Sequence, residues 1–191
     1  MQRPRLIITC GIPGSGKSTL ALRAVERWGA VSFASETFAD ALGANARTAS
    51  GDLSKEAIVY AYSAMGAAVA DSLSRNRLVI AVGSFRSGEQ RQRFRDIATS
   101  AGASVIILRI TCPIETAAKR VRSRLASGEL GPTADAMRQI DAELNRASDI
   151  DGVLTNDSSI EHFLRQVDAM MQAFEWDSGR RSPNSAIYSV A

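Results

Sequence analysis

Short runs of consecutive apolar residues alternate along the chain with longer segments in which apolar residues recur every three to four positions. Uninterrupted runs are typical of strands buried on both faces of a parallel sheet, and the longer period is typical of amphipathic helices. The predicted strands are 6–10, 31–34, 78–82, 104–110 and 151–155. The predicted helices are 18–28, 35–43, 54–75, 87–101, 113–126, 134–147 and 160–174.

This alternation predicts an α/β fold. Parallel strands in one sheet need crossover connections, and those connections place helices on both faces of the sheet. We therefore expect a five-stranded parallel sheet in a single domain over residues 1–174. From residue 175 the composition turns to Ser, Gly, Arg and Asn, so residues 175–191 are predicted to form a flexible C-terminal tail.

The first strand opens into Gly11-Ile-Pro-Gly-Ser-Gly-Lys-Ser18, which has the spacing G-x-x-x-x-G-K-[ST] of a phosphate loop. Its glycines allow positive φ and let backbone N–H groups approach phosphate oxygens, a space that a side chain would fill. The next helix begins near Lys17 and directs its positive end to the same place. We expect Lys17 to reach the β and γ oxygens and the Ser18 hydroxyl to suit Mg²⁺. A glycine-rich turn that binds nothing is the alternative.

Ligands bind at the carboxyl ends of the strands in such sheets, so residues 10–18, 35–36, 83–86 and 111–113 are expected to share one rim. A break in the helical pattern at 127–133 contains two glycines and a proline. A helix–loop–helix around 127–135 would be a small helical lid over a bound nucleotide.

Composition and charge narrow the function classes. The net charge is +3, with three lysines beside twenty arginines, a bias that suits anionic ligands but also follows from genome base composition. The longest nearly apolar stretch, 57–70, has 14 residues and is too short for a membrane span. With no N-terminal apolar segment before a cleavage site, a cytoplasmic protein without membrane association is expected.

Few residues here suit metal or histidine chemistry. Cys10 and Cys112 each end a predicted strand and are expected to be small core residues, not a disulfide or a metal pair. The single histidine, His162, is expected at the surface, which argues against histidine-based triads and zinc sites. Tyr60 and Tyr62 fall on helical faces, where packing is favoured over base stacking.

The chain resembles the P-loop kinases that include polynucleotide 5′-hydroxyl kinases, zeta toxins and chloramphenicol phosphotransferase, which have an AAA-type ATP-binding domain. The resemblance covers about residues 5–174. It is carried by the phosphate loop, the Ser-Glu after the second strand, Phe85-Arg86-x-x-x-x-Arg91, and Cys112-Pro-Ile-Glu-x-Ala-x-Lys-Arg-x-Arg-x-Arg124. It implies the three-layer P-loop NTPase fold, with ATP and Mg²⁺ as cofactors.

The resemblance also implies site residues. An Asp after the second strand is the family's general base, and Glu36 matches it here; the alternative is a first-turn glutamate favoured by the helix dipole. Arg120 and Arg124 are implied to bind ATP or the transferring γ-phosphoryl, and Asn156 to lie near the adenine. A solvated basic face and a turn asparagine are the alternatives. The predicted nucleotide-binding residues are Gly11, Ile12, Pro13, Gly14, Ser15, Gly16, Lys17, Ser18, Thr19, Arg120 and Asn156.

The chain departs from the family pattern at two positions. Ala39 stands where the family has a substrate-touching Arg, and Val82 stands where it usually has an Asp at the end of the third strand. Mg²⁺ would then rest on Ser18, the phosphates, water and Glu36.

Two functions remain open. The first is a kinase that uses Lys17, Glu36 and Arg124 to transfer the γ-phosphoryl of ATP to a hydroxyl of a small molecule or a nucleic-acid 5′ end. The second is a nucleotide-binding module with degenerate catalysis. A general NTPase switch ranks below both, because no second acidic strand end is present to position a water molecule.

A basic cluster after the third strand is expected either to hold an anionic acceptor or to be a solvated helix face; its members are Arg86, Arg91, Arg93 and Arg95.

Overall fold

The computed structural model describes residues 4–46, 48, 53–125 and 132–177. The strands are β1 (Arg5–Cys10), β2 (Val31–Ala34), β3 (Leu78–Val82), β4 (Ser104–Thr111) and β5 (Gly152–Thr155). The helices are α1 (Lys17–Trp28), α2 (Ser35–Asp40), α3 (Lys55–Ser74), α4 (Gly88–Ser100), α5 (Ile114–Arg122), α6 (Ala134–Asn145) and α7 (Ile160–Asp177). A short 3-10 helix lies at Gly43–Ala46.

The strands form one parallel sheet in the order β2-β3-β1-β4-β5, with β1 at its centre. Every residue of β1 and β3 is buried, as their unbroken apolar runs predicted. Successive β1 side chains point to opposite faces. Ile7 joins a core with α1 and α7, whereas Leu6 and Ile8 join a second core with α3 and α4. The predicted three-layer α/β architecture is confirmed.

Three helix ends differ from the sequence prediction by three residues or more. Helix α2 ends at Asp40, because the Leu42 N–H donates to the Ala39 carbonyl in a tighter turn. Helix α5 ends at Arg122, where the Arg124 N–H bonds the Val121 carbonyl in the same way. Helix α7 runs to Asp177, three residues into the predicted tail, because no helix breaker follows Phe174 until Gly179.

The predicted lid at about 127–135 falls mostly on residues 126–131, which lie outside the described residues, as does the tail from 178 onward. Helix α6 begins after Thr133, whose side chain accepts a hydrogen bond from the Ala136 N–H. Among the helices that the structure describes, none is both long and apolar enough to cross a membrane.

Candidate nucleotide-binding and active site

Backbone hydrogen bonds join the loops at the carboxyl ends of four strands. The Gly11 N–H donates to the Ser84 carbonyl over 3.3 Å, and the Gly83 N–H donates to the Thr9 carbonyl over 3.4 Å. On the other side, the Asn156 N–H donates to the Thr111 carbonyl over 2.8 Å. The phosphate loop (residues 11–18) therefore lies between the turn after β3 and the segment after β5, on the rim that the sequence predicted.

The three glycines of the phosphate loop all adopt positive φ, at 148° (Gly11), 80° (Gly14) and 114° (Gly16). A Cβ at these positions would lie 2.5 Å from the Ile110 carbonyl oxygen, 2.4 Å from the Ala117 carbonyl oxygen and 2.3 Å from Asn156 Nδ2, respectively. The sequence predicted that such side chains would fill the phosphate site. The nearest protein atoms instead belong to β4, α5 and Asn156, so packing as well as backbone conformation requires glycine here.

Lys17 is the first residue of α1, and its Nζ donates to the carbonyls of Gly11 (3.0 Å) and Ile12 (2.8 Å). Burial lowers the pKa of Lys17 to about 8. The Glu36 carboxylate opposes that shift, whereas the Arg124 guanidinium adds to it. The charges of Glu36 and Arg124, the other two predicted catalytic residues, therefore both act on Lys17.

The lowered Lys17 pKa predicts that nucleotide affinity falls as pH rises. With this pKa we expect the free protein to lose the lysine charge above about pH 8, so that binding phosphate groups would take a proton back up. We expect MgADP to bind about tenfold more weakly at about pH 9 than at about pH 7, since one pKa unit corresponds to a factor of ten. Calorimetric titration in buffers of different ionisation enthalpy counts the protons taken up. Binding without proton uptake above pH 8 would contradict the assignment to Lys17.

Arg120 and Asn156 hold the outer side of the phosphate loop. Asn156 is buried, and its Nδ2 donates to the Ser15 carbonyl over 2.8 Å. Arg120 donates from Nη2 to Asn156 Oδ1 over 3.3 Å and from Nη1 to Cys112 Sγ over 3.4 Å. Both residues that the resemblance implied therefore contact the loop region, Asn156 through a buried hydrogen bond.

A cavity of about 260 Å³ opens beside these residues. It contains the predicted Arg120, Arg124 and Asn156 together with one residue that the sequence analysis missed, Ile160. Ile160 begins α7 and is 48% exposed, so it offers an apolar surface at the mouth of the cavity. Its signal in the sequence is an apolar residue four positions after Asn156. The full lining is Gly14, Gly16, Thr19, Arg120, Arg124, Asn156 and Ile160.

The two departures from the family pattern are both core residues. Ala39 is fully buried, and Val82 is 6% exposed in the core with α1 and α7. Glu36 lies exposed in the first turn of α2, and Ser18 is exposed in the first turn of α1. No group of three or more His, Cys, Asp or Glu side chains that could hold a metal ion occurs among the described residues. The Ser18 hydroxyl suits Mg²⁺ held chiefly by phosphates and water.

The four arginines of the basic cluster each have a protein partner. Arg91 is 3% exposed and donates from Nε and Nη2 to the Asp149 carboxylate, at 2.7–3.0 Å. Its Nη1 donates to the carbonyls of Phe85 (2.7 Å) and Arg86 (3.1 Å). The prediction that the basic cluster is a solvated helix face is therefore wrong for Arg91. The other pairs are Arg86 with Glu143, Arg93 with Ser63, and Arg95 with Asp151.

Both cysteines are free thiols. Cys10 is buried as predicted, and burial raises its pKa to about 12. Cys112 is half-buried, and burial also raises its pKa. Neither thiol has the lowered pKa of a nucleophile.

The central β1, the glycine loop and the helix that follows define a P-loop NTPase-like α/β protein. Residues 6–148 match the model of the AAA domain family, so the chain belongs to that family. No curated protein matches the chain.

Solved structures share the fold, kinases among them. The chain resembles the APS kinase of Mycobacterium tuberculosis in complex with AMPPNP and APS, with 16% identity, 92% and 99% of the two chains covered and a TM-score of 0.65. It is similar to a gluconokinase from Sinorhizobium meliloti, with 14% identity, 96% and 100% covered and a TM-score of 0.68. It also matches a chain of the Pnkp1/Rnl/Hen1 RNA repair complex, with 21% identity, 76% and 45% covered and a TM-score of 0.63.

Proposed function

We propose that this protein is a kinase that transfers the γ-phosphoryl of ATP to a hydroxyl of a small molecule or a nucleic-acid 5′ end. The observation that carries the proposal is the phosphate loop, with Lys17 bonded to its carbonyls, Arg124 lining the adjacent cavity, and Glu36 near enough for its charge to act on Lys17. These are a cation for phosphates, a carboxylate for a proton and a second cation. The structural neighbours named for APS kinase and gluconokinase activities support the same reaction class.

Different groups of the chain bind the phosphates, the metal ion and the nucleoside of ATP. Backbone N–H groups of the phosphate loop and the N-terminus of α1 receive the phosphates, and Lys17 moves from its two carbonyl partners to the β and γ oxygens. Bound Mg²⁺ would neutralise charge on those oxygens, with Ser18 as its protein ligand. The nucleoside enters the cavity between Arg120, Asn156 and Ile160.

Transfer requires a proton acceptor beside the incoming hydroxyl. The acceptor oxygen attacks the γ-phosphorus, the bond from that phosphorus to the bridging oxygen breaks, and ADP leaves with the electron pair. Glu36 takes the hydroxyl proton, and Arg124 offsets negative charge on the transferring group. The acceptor site is thereby assigned to the rim near α2.

A nucleotide-binding module with degenerate catalysis is the second candidate. The buried side chains of Ala39 and Val82 favour it, because neither position presents a polar group to a metal or an acceptor. This candidate predicts MgADP binding without phosphoryl transfer to any hydroxyl.

Glu36→Gln is expected to lower phosphoryl transfer by about 10²- to 10³-fold, because it removes the general base while keeping the size of the side chain. MgADP affinity should stay within about twofold, since Glu36 is assigned to the acceptor and not to the nucleotide. Transfer is measured with γ-labelled MgATP against a 5′-hydroxyl oligonucleotide and a panel of sugars, sugar acids and other alcohols.

The matched control is Glu56→Gln, the same change in the first turn of α3, which should leave transfer unchanged. Equal rates for wild type and Glu36→Gln would remove Glu36 from the mechanism. Nucleotide that binds to wild type and stays intact across the whole panel would favour the binding module.

A further inference from the structure

The side chain of Tyr62 crosses from the core to the rim. Tyr62 lies on α3 and is 8% exposed, with its ring edge-on to Phe85 at a centroid distance of 4.9 Å and to Phe94 at 6.4 Å. The ring packs as the sequence predicted. The hydroxyl does more, because it accepts a hydrogen bond from the Phe85 backbone N–H over 2.9 Å and lies close enough to Ser35 for that side chain to lower its pKa.

These two neighbours of the hydroxyl belong to different parts of the candidate site. Ser35 is a buried residue that begins α2 and immediately precedes Glu36. Phe85 belongs to the β3 turn (residues 83–86), which also bonds the phosphate loop through the Ser84 carbonyl and the Gly11 N–H. One hydroxyl thus lies between the segment that carries the carboxylate and the turn that contacts the phosphate loop.

The β3 turn is held in a conformation that its sequence does not favour. Phe85 has a φ of 43°, in the left-handed region that non-glycine residues rarely adopt. Such conformations persist where surrounding contacts fix them, and they occur often at functional sites. Tyr62 fixes the Phe85 N–H, and Arg91 fixes the Phe85 carbonyl.

Gly83 gives an independent sign that the position of the hydroxyl matters. A Cβ at Gly83 would lie 2.7 Å from the Tyr62 hydroxyl oxygen and 3.1 Å from Phe85 Cδ2. Gly83 has no positive φ that would itself require glycine. Close approach of the hydroxyl and the Phe85 ring therefore accounts for the missing side chain.

We propose that Tyr62 is a positioning residue for Glu36, whose hydroxyl holds the start of α2 against the β3 turn and so sets the distance from the carboxylate to the phosphate loop. This inference rests on the proposed kinase function. Tyr62 acts through Ser35 and Phe85 and takes no proton from substrate. Its pKa, which burial raises to about 12, keeps the phenol neutral at physiological pH.

Tyr62→Phe tests the proposal, because it removes the hydroxyl and keeps the packed ring. We expect turnover of γ-labelled MgATP, to an acceptor or to water, to fall about tenfold, a modest loss for a misplaced base, with MgADP affinity within twofold. Tyr60→Phe, on the exposed face of the same helix, is the matched control and should match wild type.

The double variant Tyr62→Phe/Glu36→Gln separates positioning from general stability. If Tyr62 acts through Glu36, adding Tyr62→Phe to Glu36→Gln causes no further loss. A tenfold loss in both backgrounds would show a merely structural role and overturn the inference. So would a Tyr62→Phe rate equal to that of wild type when Glu36→Gln is impaired.

Hydrogen exchange tests the bridge without relying on catalysis. In Tyr62→Phe, the Phe85 amide and the amides of α2 are expected to exchange faster together, with β1 unchanged. Faster exchange at Phe85 alone would mean that no bridge reaches α2, and the inference would fail whatever the activity. A wild-type protein that transfers no phosphoryl group, but shows the coupled exchange, would contradict the proposed function while leaving the bridge itself supported.

Discussion

Lys17→Ala is expected to lower γ-phosphoryl transfer from MgATP by about 10³-fold, while the protein stays folded. The loss is large because the Lys17 ammonium is assigned to the β and γ oxygens, where charge moves during transfer. The fold should persist because, within the part of the chain that the structure describes, the Lys17 Nζ bonds only to the phosphate-loop carbonyls of Gly11 and Ile12. Single-turnover transfer and thermal unfolding of the same preparation measure the two effects.

Lys119→Ala is the control for this substitution. Lys119 lies exposed in the last turn of α5, so removing its charge should change transfer by less than about twofold. MgADP titration separates lost binding from lost chemistry. Transfer that survives in Lys17→Ala at near wild-type rate would refute the role of the phosphate loop in catalysis.

Arg91→Met is expected to lower the free energy of unfolding by about 3 kcal/mol, the lower end of the range for breaking a buried ion pair. The Arg91 side chain is 4% exposed, and its removal leaves the Asp149 carboxylate and two backbone carbonyls without their donor. Asp149 is 34% exposed, so water recovers part of the loss. Urea unfolding followed by circular dichroism measures the change.

The same variant predicts a pH dependence. Arg91 holds the pKa of the Asp149 carboxyl below its usual value of 3.8. A lowered carboxyl pKa contributes stability above the usual pKa and loses it as pH falls through the lowered one. The stability gap between wild type and Arg91→Met should therefore narrow below about pH 4.

Arg93→Met, at an exposed arginine that contacts Ser63, is the control and should shift the free energy of unfolding by less than about 0.5 kcal/mol. Equal losses for the two variants would contradict the buried role of Arg91.

The sheet and the phosphate loop could be predicted because their signals are local. Unbroken apolar runs mark β1 and β3, and the glycine spacing marks the loop. The rim followed from the parallel topology alone. Helix ends were harder to predict, because the early ends of α2 and α5 come from tightened last turns that leave no mark in the hydrophobic pattern.

The partners of Arg91 and Tyr62 could not be predicted, because they lie far away in sequence. Asp149 is 58 positions from Arg91, and Phe85 is 23 positions from Tyr62. The sequence pattern predicts that an arginine in a helical segment is solvent-exposed and that a tyrosine among apolar residues lies in the core. Only the folded chain shows that Arg91 is buried and that the Tyr62 hydroxyl emerges at the rim.

The glycines of the phosphate loop are matched to three separate neighbours: a β4 carbonyl, an α5 carbonyl and the Asn156 amide. The loop's shape is thus distributed over distant parts of the chain and does not reside in its eight-residue motif. Transplanting residues 6–19 into an unrelated strand–helix connection would transfer the sequence motif without the neighbouring atoms that shape the loop. To engineer nucleotide binding from this chain, the segments that contribute these neighbouring atoms would have to be transferred as well.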